Sequence, residues 1–207
     1  MSRFKEEVRV KRSAFEAAAP EVARRVLGMR LVRVLRGVRL AGTIVESEAY
    51  RGRRDPASHA YGGRTVRNAV MFGEAGHAYV YFSYGSHFCL NITAEPAGNP
   101  AAVLVRAVEP TEGTERMRAN RPGFNDRDLT NGPGKLTKAF MIDSTLNGED
   151  LVASGRLFLE EGQHPARVGS TSRVGISAGA ERRWRFYVRG NEFVSKGKPS
   201  YSAPQNP

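Results

Sequence analysis

The sequence predicts a single α+β domain, built on a curved, largely antiparallel β-sheet with flanking helices and a protruding β-hairpin. Three observations point there. The chain has 207 residues, which suits one compact domain, and 40% of them are hydrophobic, enough for a core. Helical and strand patterns follow one another irregularly, without the βαβ rhythm of a parallel sheet. An aromatic and β-branched run over 78–93 is interrupted by Tyr84-Gly85 and reads as a hairpin.

Each element has its own signal. Residues 14–27 are Ala-rich and helical, with Ser13 as a possible cap, Gly28 as a stop and Pro20 as a break. Residues 29–35 and 40–50 read as two strands joined at Arg36-Gly37. Residues 51–68 form a long polar loop with five Arg, three Gly, Asp55-Pro56 and His59, and long loops in compact domains are usually functional. A strand over 101–109 follows the hairpin, then a helix over 112–120, a Gly/Pro/Asn-rich loop over 121–134 and a short helix over 135–142. Short strands are expected at 156–160, 167–176 and 184–189. The organisation is therefore one domain over 1–195, and a Ser/Lys/Pro-rich tail over 196–207 expected to be flexible.

Lys and Arg total 32 against 21 Asp and Glu, a net charge of +11. That excess favours a polyanionic partner, nucleic acid or an anionic membrane surface, over a merely basic enzyme. The charge is scattered and not gathered on one amphipathic helix, which weakens the membrane reading. The first residues lack the apolar stretch of a signal peptide, so a cytoplasmic or nucleoid location is expected. Cys89 is the only cysteine, which excludes an internal disulfide and argues against Cys-rich metal sites. Gly134-Lys135 is followed by Leu136, so it is no Walker A loop, and there is no H-E-x-x-H. The four histidines have no metal-ligand spacing, and neither a metal nor another cofactor is expected.

Three constellations remain. Glu46, Glu48 and Tyr50 are two apart in a strand and share a face, with the carboxylates roughly 6.6 Å apart at Cα. Neighbouring carboxylates suit general-base work, although a solvated strand face has the same pattern. Tyr84 falls at the hairpin tip, where it is either a stacking wedge for nucleic acid or packed on its own hairpin. Arg106 lies inside the apolar strand and needs a buried partner, for which Glu48 is the attractive choice.

Together these residues resemble the alkyladenine (3-methyladenine) DNA glycosylase family, the single-domain methylpurine type. The resemblance covers more than half of the chain. It is carried by Val-Glu-Ser-Glu-Ala-Tyr (45–50), His59, Gly62-Gly-Arg64, Arg67-Asn68, Met71-Phe72, Tyr79-Val-Tyr81, Tyr84-Gly85 and Asn91-Ile92. Gly132-Pro-Gly-Lys-Leu136, Arg173-Val-Gly175 and Arg185-Phe-Tyr-Val-Arg-Gly190 continue it. The stretch between Gly63 and Met71 is one residue shorter than in the vertebrate members.

The resemblance implies a monofunctional enzyme that flips damaged purines (3-methyladenine, other alkylpurines, hypoxanthine) out of double-stranded DNA. It hydrolyses the N-glycosidic bond, leaves an abasic site and works as a monomer. By the same resemblance, Glu48 deprotonates the water, and Arg106 and the carbonyl of Ile176 help to hold it. Tyr50, His59 and Tyr81 line the base pocket, Asn91 crowds the purine 2-position, Tyr84 fills the gap in the duplex and Arg64 contacts phosphate. Glu46 is left without a role. The alternatives are a non-catalytic damaged-DNA-binding protein, and a glycoside hydrolase using Glu46 and Glu48.

Overall fold

The computed structural model describes residues 8–83 and 85–200. It has the expected α+β architecture, with an eight-stranded antiparallel sheet in one domain. β1 (Arg30–Leu35) and β2 (Val38–Tyr50) form a hairpin. β3 (Ala78–Ser83) and β4 (His87–Ala94) form the second, aromatic hairpin. β5 (Ala101–Glu112) joins the two by pairing with β4 and β2, and β6 (Leu157–Glu160) closes the far edge on β1. β7 (Val168–Thr171) pairs with β8 (Arg185–Val188), which sits beside Glu46–Glu48 of β2. β2 thus loses β1 after Thr43 and gains β8, and the sheet curls at that point.

Three short helices cover one face: α1 (Ala19–Arg25), α2 (Thr114–Asn120) and α3 (Pro133–Ala139). Val22 and Ala23 of α1, Met117 of α2, and Leu136 and Ala139 of α3 pack on Leu31, Leu40, Ile44, Val80, Leu90, Ile92, Val103 and Val105. Each buried aliphatic side chain contributes about 1.5–3 kcal/mol by leaving water. This main core sets the register of the strands that face it, because a slip by one residue would turn their apolar set away.

The strand alternation breaks where the site begins. Leu40 and Ile44 face the core on even numbers, whereas Ala49 faces it on an odd one, and the Ser47 hydroxyl donates to Ala23 O of α1 at 2.6 Å. The pairing is irregular between Ile44 and Ser47, opposite Val105–Val108, where β5 changes phase too. Such an irregularity re-aims side chains. Here it turns Glu46, Glu48 and Tyr50 to the face opposite α1.

Several element ends differ from expectation for physical reasons. Pro20 lies in the first turn of α1, where its missing N–H costs nothing, so the helix starts at Ala19 and Ser13 does not cap it. The Glu95 carboxylate accepts from Ala19 N at 3.1 Å instead. Gly28 ends the turn after α1 with φ +91°, and a Cβ there would strike the Gln163 carbonyl. β5 runs past Pro110 to Glu112, with Pro110 beside a register shift that tolerates its missing N–H. α2 starts at Thr114, not 112, and α3 spans Pro133–Ala139, not 135–142. The strand expected over 167–176 ends at Thr171, because Ser172–Ile176 turns into the site. Lys196–Ser200, tail-like in composition, lies along that turn: Val174 bridges to Pro199, and Ser200 N donates to Arg173 O at 2.8 Å. Among the described residues no helix is long and apolar enough to cross a membrane.

Candidate active site

The sheet face opposite the helices carries a cavity of about 520 Å³. Its floor follows from alternation. Ala78 and Val80 face the core, so Tyr79 and Tyr81 face the cavity; Leu90 and Ile92 face the core, so Cys89 and Asn91 face it; Ala102 and Leu104 of β5 complete it. The loop carrying Ala57, His59, Arg67 and Met71 forms one wall, and Val174–Ile176 the other. Buried Asn68 ties the first wall together. Its amide donates to His59 O and Gly63 O at 2.9 Å each, and its Oδ1 accepts from Thr65 N at 2.7 Å.

The aromatic rings are ordered by contacts among themselves. His59 meets Tyr81 edge-on at 4.5 Å between centroids, and Tyr79 lies 5.3 Å from Tyr81. Arg67 stands over the Tyr81 ring at 5.1 Å. Burial, helped by the Arg67 charge, holds the His59 pKa below its usual value, so the imidazole is neutral at pH 7. Burial raises the Tyr79 phenol to about 12. Its hydroxyl is hydrogen-bonded to His59 Nδ1 at 2.9 Å. Burial, then Cys89, raises the Tyr81 phenol, and burial raises the Cys89 thiol, so neither is charged.

Glu48 is fully buried directly behind the wall made by Tyr50, Arg106 and Val174, and all three contact it. Its Oε1 accepts from Val174 N at 2.8 Å and lies 3.4 Å from Arg106 Nη1. Its Oε2 accepts from the Tyr50 hydroxyl at 2.8 Å. Burial, then Glu48, pushes the Tyr50 phenol well above its ordinary pKa, which keeps it a donor. Burial opposes the Arg106 charge, but the Glu48 and Glu46 carboxylates outweigh it and raise its pKa. A carboxylate oxygen can accept more than one hydrogen bond, so Oε2 has capacity left for a water. The arrangement is an immobilised, charge-compensated carboxylate beside an aromatic chamber.

The structure brings most of the expected residues together. Tyr50, His59, Tyr81, Asn91, Arg106 and Ile176 line the cavity, with Glu48 behind them. Asn91 is buried, and its amide donates to Tyr79 O at 3.1 Å, which fixes its orientation. Arg64 does not reach the cavity. It is exposed on the rim loop, near Val66, which is 99% exposed. Tyr84 lies outside the described residues. The solvated-face reading of Glu46 and Glu48 is wrong, since both are fully buried. Glu46 also has partners the sequence did not show: it accepts from Arg106 Nε at 2.8 Å and Arg185 Nε at 2.7 Å.

A second buried pair was missed. Arg173 is 0% exposed and grips Asp55 through Nη1 and Nη2 at 2.5 and 2.8 Å. Its guanidinium lies 4.7 Å from the Tyr50 ring, on which it stacks. The signals were Asp55 within the long loop and Arg173 within a strand-like run, but nothing in their spacing connects them.

The sequence matches the family model for methylpurine-DNA glycosylase over residues 13–192. A protein of Carboxydothermus hydrogenoformans named "Putative 3-methyladenine DNA glycosylase" is 46% identical over 177 residues, 84% of this chain and 92% of the relative. One of the same name from Methanocella arvoryzae is 46% identical over 192 residues, covering 91% of this chain and 96% of the relative. A third, from Burkholderia lata, is 45% identical over 188 residues, 89% of each chain. An aromatic cavity backed by a buried, arginine-compensated glutamate, in a chain that shares nearly half its residues with these proteins, leaves one assignment: the chain belongs to the methylpurine-DNA glycosylase family, hydrolases of N-glycosyl bonds in DNA.

Proposed function

We propose that this protein excises damaged purines, 3-methyladenine, other alkylpurines and hypoxanthine, from duplex DNA, with Glu48 as the base that activates water. The observation that carries this reading is Glu48 itself: fully buried, held by Tyr50, Val174 N and Arg106, at the back of an aromatic cavity. A DNA-binding module gains nothing from a buried carboxylate in a site that faces phosphates. A base in a duplex is out of reach, so it is extruded into the cavity, at a cost of a few kcal/mol that is smallest for damaged or mispaired bases. Stacking on Tyr50, His59 and Tyr81 returns about 1–3 kcal/mol per contact of this kind. An alkylated purine is electron-poor, which strengthens stacking and makes it a good leaving group. Cleavage builds positive charge on the sugar, as in glycoside hydrolysis, and water activated by Glu48 and held also by Arg106 and the Ile176 carbonyl captures it. Among the described residues, none that lines the cavity is a lysine able to form a Schiff base, and the expected product is an intact strand with an abasic site. Tyr84, between Ser83 and Gly85, fills the gap in the duplex, a role that rests on the sequence.

The test is product analysis on duplexes carrying one 3-methyladenine or hypoxanthine. Free base should appear, and the strand should break only after alkali. Binding without release would favour the non-catalytic alternative, and sugar release from oligosaccharides would favour the glycoside hydrolase.

Two further outcomes follow. Each neutralised phosphate contributes about −0.9 to the slope of log K against log salt, so duplex affinity should show a slope of about −3 to −6. Arg64→Ala should flatten it by about one unit, measured by salt titration. Guanine differs from hypoxanthine by a 2-amino group, and in this reading Asn91, which lines the cavity, crowds that position. Asn91→Ser should raise guanine release relative to hypoxanthine by about 1–2 kcal/mol in single-turnover rate ratio. An unchanged ratio with both rates intact places the gate elsewhere.

A further inference from the structure

Glu46 lies two residues from Glu48, is fully buried and has no part in the reaction as derived above. Its surroundings are more than a counter-charge requires. Oε1 accepts from Arg106 Nε at 2.8 Å, Arg185 Nε at 2.7 Å and the Ser195 hydroxyl at 2.9 Å. Oε2 accepts from Ser195 N at 2.6 Å. One carboxylate thus joins β2, β5, β8 and the segment that leads to Ser200. Beyond Ser195 that segment crosses the back of the site. A Cβ on Gly197 would lie 3.2 Å from Arg106 Nη2 and 2.8 Å from Val174, so the backbone passes against both groups that touch Glu48 Oε1. Ser200 then binds the same turn, through Ile176 N to its Oγ at 2.9 Å.

The Arg106 guanidinium is divided unequally between the two carboxylates. Its Nε edge is committed to Glu46 at 2.8 Å, and its approach to Glu48, through Nη1, is longer at 3.4 Å. An arginine released from Glu46 would be free to close on Glu48 through two N–H groups, the geometry guanidinium and carboxylate prefer. A carboxylate closed in that way is a weaker base and has less room for water.

We propose that Glu46 is a positioning residue: it holds Arg106 by its Nε edge so that Glu48 stays available to water, and it anchors the Ser195–Ser200 segment behind the Val174 N–H that binds Glu48. The proposal rests on the reading of Glu48 as the base. The charged and titratable groups around the two carboxylates are Arg106 from β5, Arg185 from β8, Tyr50 from β2, Cys89 from β4, Tyr81 from β3 and Arg173 from the turn after β7. Only Arg106 and Arg185 among these are cations in contact with Glu46. Loss of the Glu46 carboxylate leaves Arg106 to Glu48 alone.

The experiment compares wild type, Glu46→Gln, Glu46→Gln/Arg185→Gln and Glu48→Gln on one hypoxanthine duplex. It measures melting, duplex affinity and the single-turnover excision rate against pH. Glu46→Gln keeps the side-chain shape, and the double variant restores the balance of buried charge. For both, affinity should stay within about threefold, whereas excision should fall about 10²-fold, the scale of a misplaced catalytic group. Rate lost with affinity and melting retained is a split that a merely structural role would not cause. Excision near the wild-type rate by a folded Glu46 variant, with Glu48→Gln inactive, overturns the proposal alone. Failure of both Glu46 variants to fold assigns Glu46 to the fold and overturns it too. Full activity of Glu48→Gln overturns the underlying reading instead.

Discussion

Glu48→Gln should leave lesion binding intact and lower single-turnover excision by about 10²–10⁴-fold, the usual contribution of a positioned general base. The substitution is close to isosteric. The amide oxygen can still accept from Val174 N, and the amide NH₂ can donate to the Tyr50 hydroxyl oxygen, so the contacts at 2.8 Å have replacements. What is lost is the ability to take a proton from water. Affinity and rate should therefore separate, which is the signature of an interaction made in the transition state and not in the bound complex. The measurement is a binding titration beside a quench time course on the same duplex. A parallel loss of affinity would mean that Glu48 shapes the pocket instead.

Asp55→Ala should destabilise the protein by about 3–5 kcal/mol, because it leaves the fully buried Arg173 charge without its partner. For a chain of this size each kcal/mol shifts Tm by about 2–4 °C, so Tm should fall by about 6–20 °C. Arg173 also donates to Ala49 O at 2.9 Å and Gly179 O at 3.3 Å, so the pair binds β2, the polar loop and the turn after β7 at one point. Combining Asp55→Ala with Arg173→Met removes the orphaned charge and should recover much of the loss, since an apolar replacement for a buried pair is often neutral. Calorimetry on both variants checks this. Equal destabilisation by the single and double changes would show that packing, not charge, dominates there.

The cavity floor was legible because period-two alternation makes its own complement. Once Val80, Leu90 and Ile92 are assigned to the core, Tyr79, Tyr81, Cys89 and Asn91 must face away from it. The shared face of Glu46, Glu48 and Tyr50 was equally plain. Its direction was not: counted from Leu40 and Ile44 those residues fall on the core side, and the irregular pairing between Ile44 and Ser47 turns them over. Nothing in those residue types marks a phase change. The partners of Glu46 and Asp55 were hidden for another reason. Arg185 and Arg173 lie more than a hundred residues away, and a charge in a sequence does not say which other charge it meets. The stretch 196–200 misled through composition, since its attachment is mostly a matter of backbone groups, which composition does not report.

The central claim is that a purine leaves the duplex for the Tyr50–His59–Tyr81 cavity and is hydrolysed there by water that Glu48 activates. The most direct test is stopped-flow fluorescence of 2-aminopurine placed next to a hypoxanthine, followed in parallel with base release. Loss of stacking on the probe should precede release in the wild type. Glu48→Gln should show the same fluorescence phase at a similar rate with release nearly abolished. Release without a preceding unstacking phase, or a Glu48→Gln protein that releases base as fast as the wild type, would contradict the account.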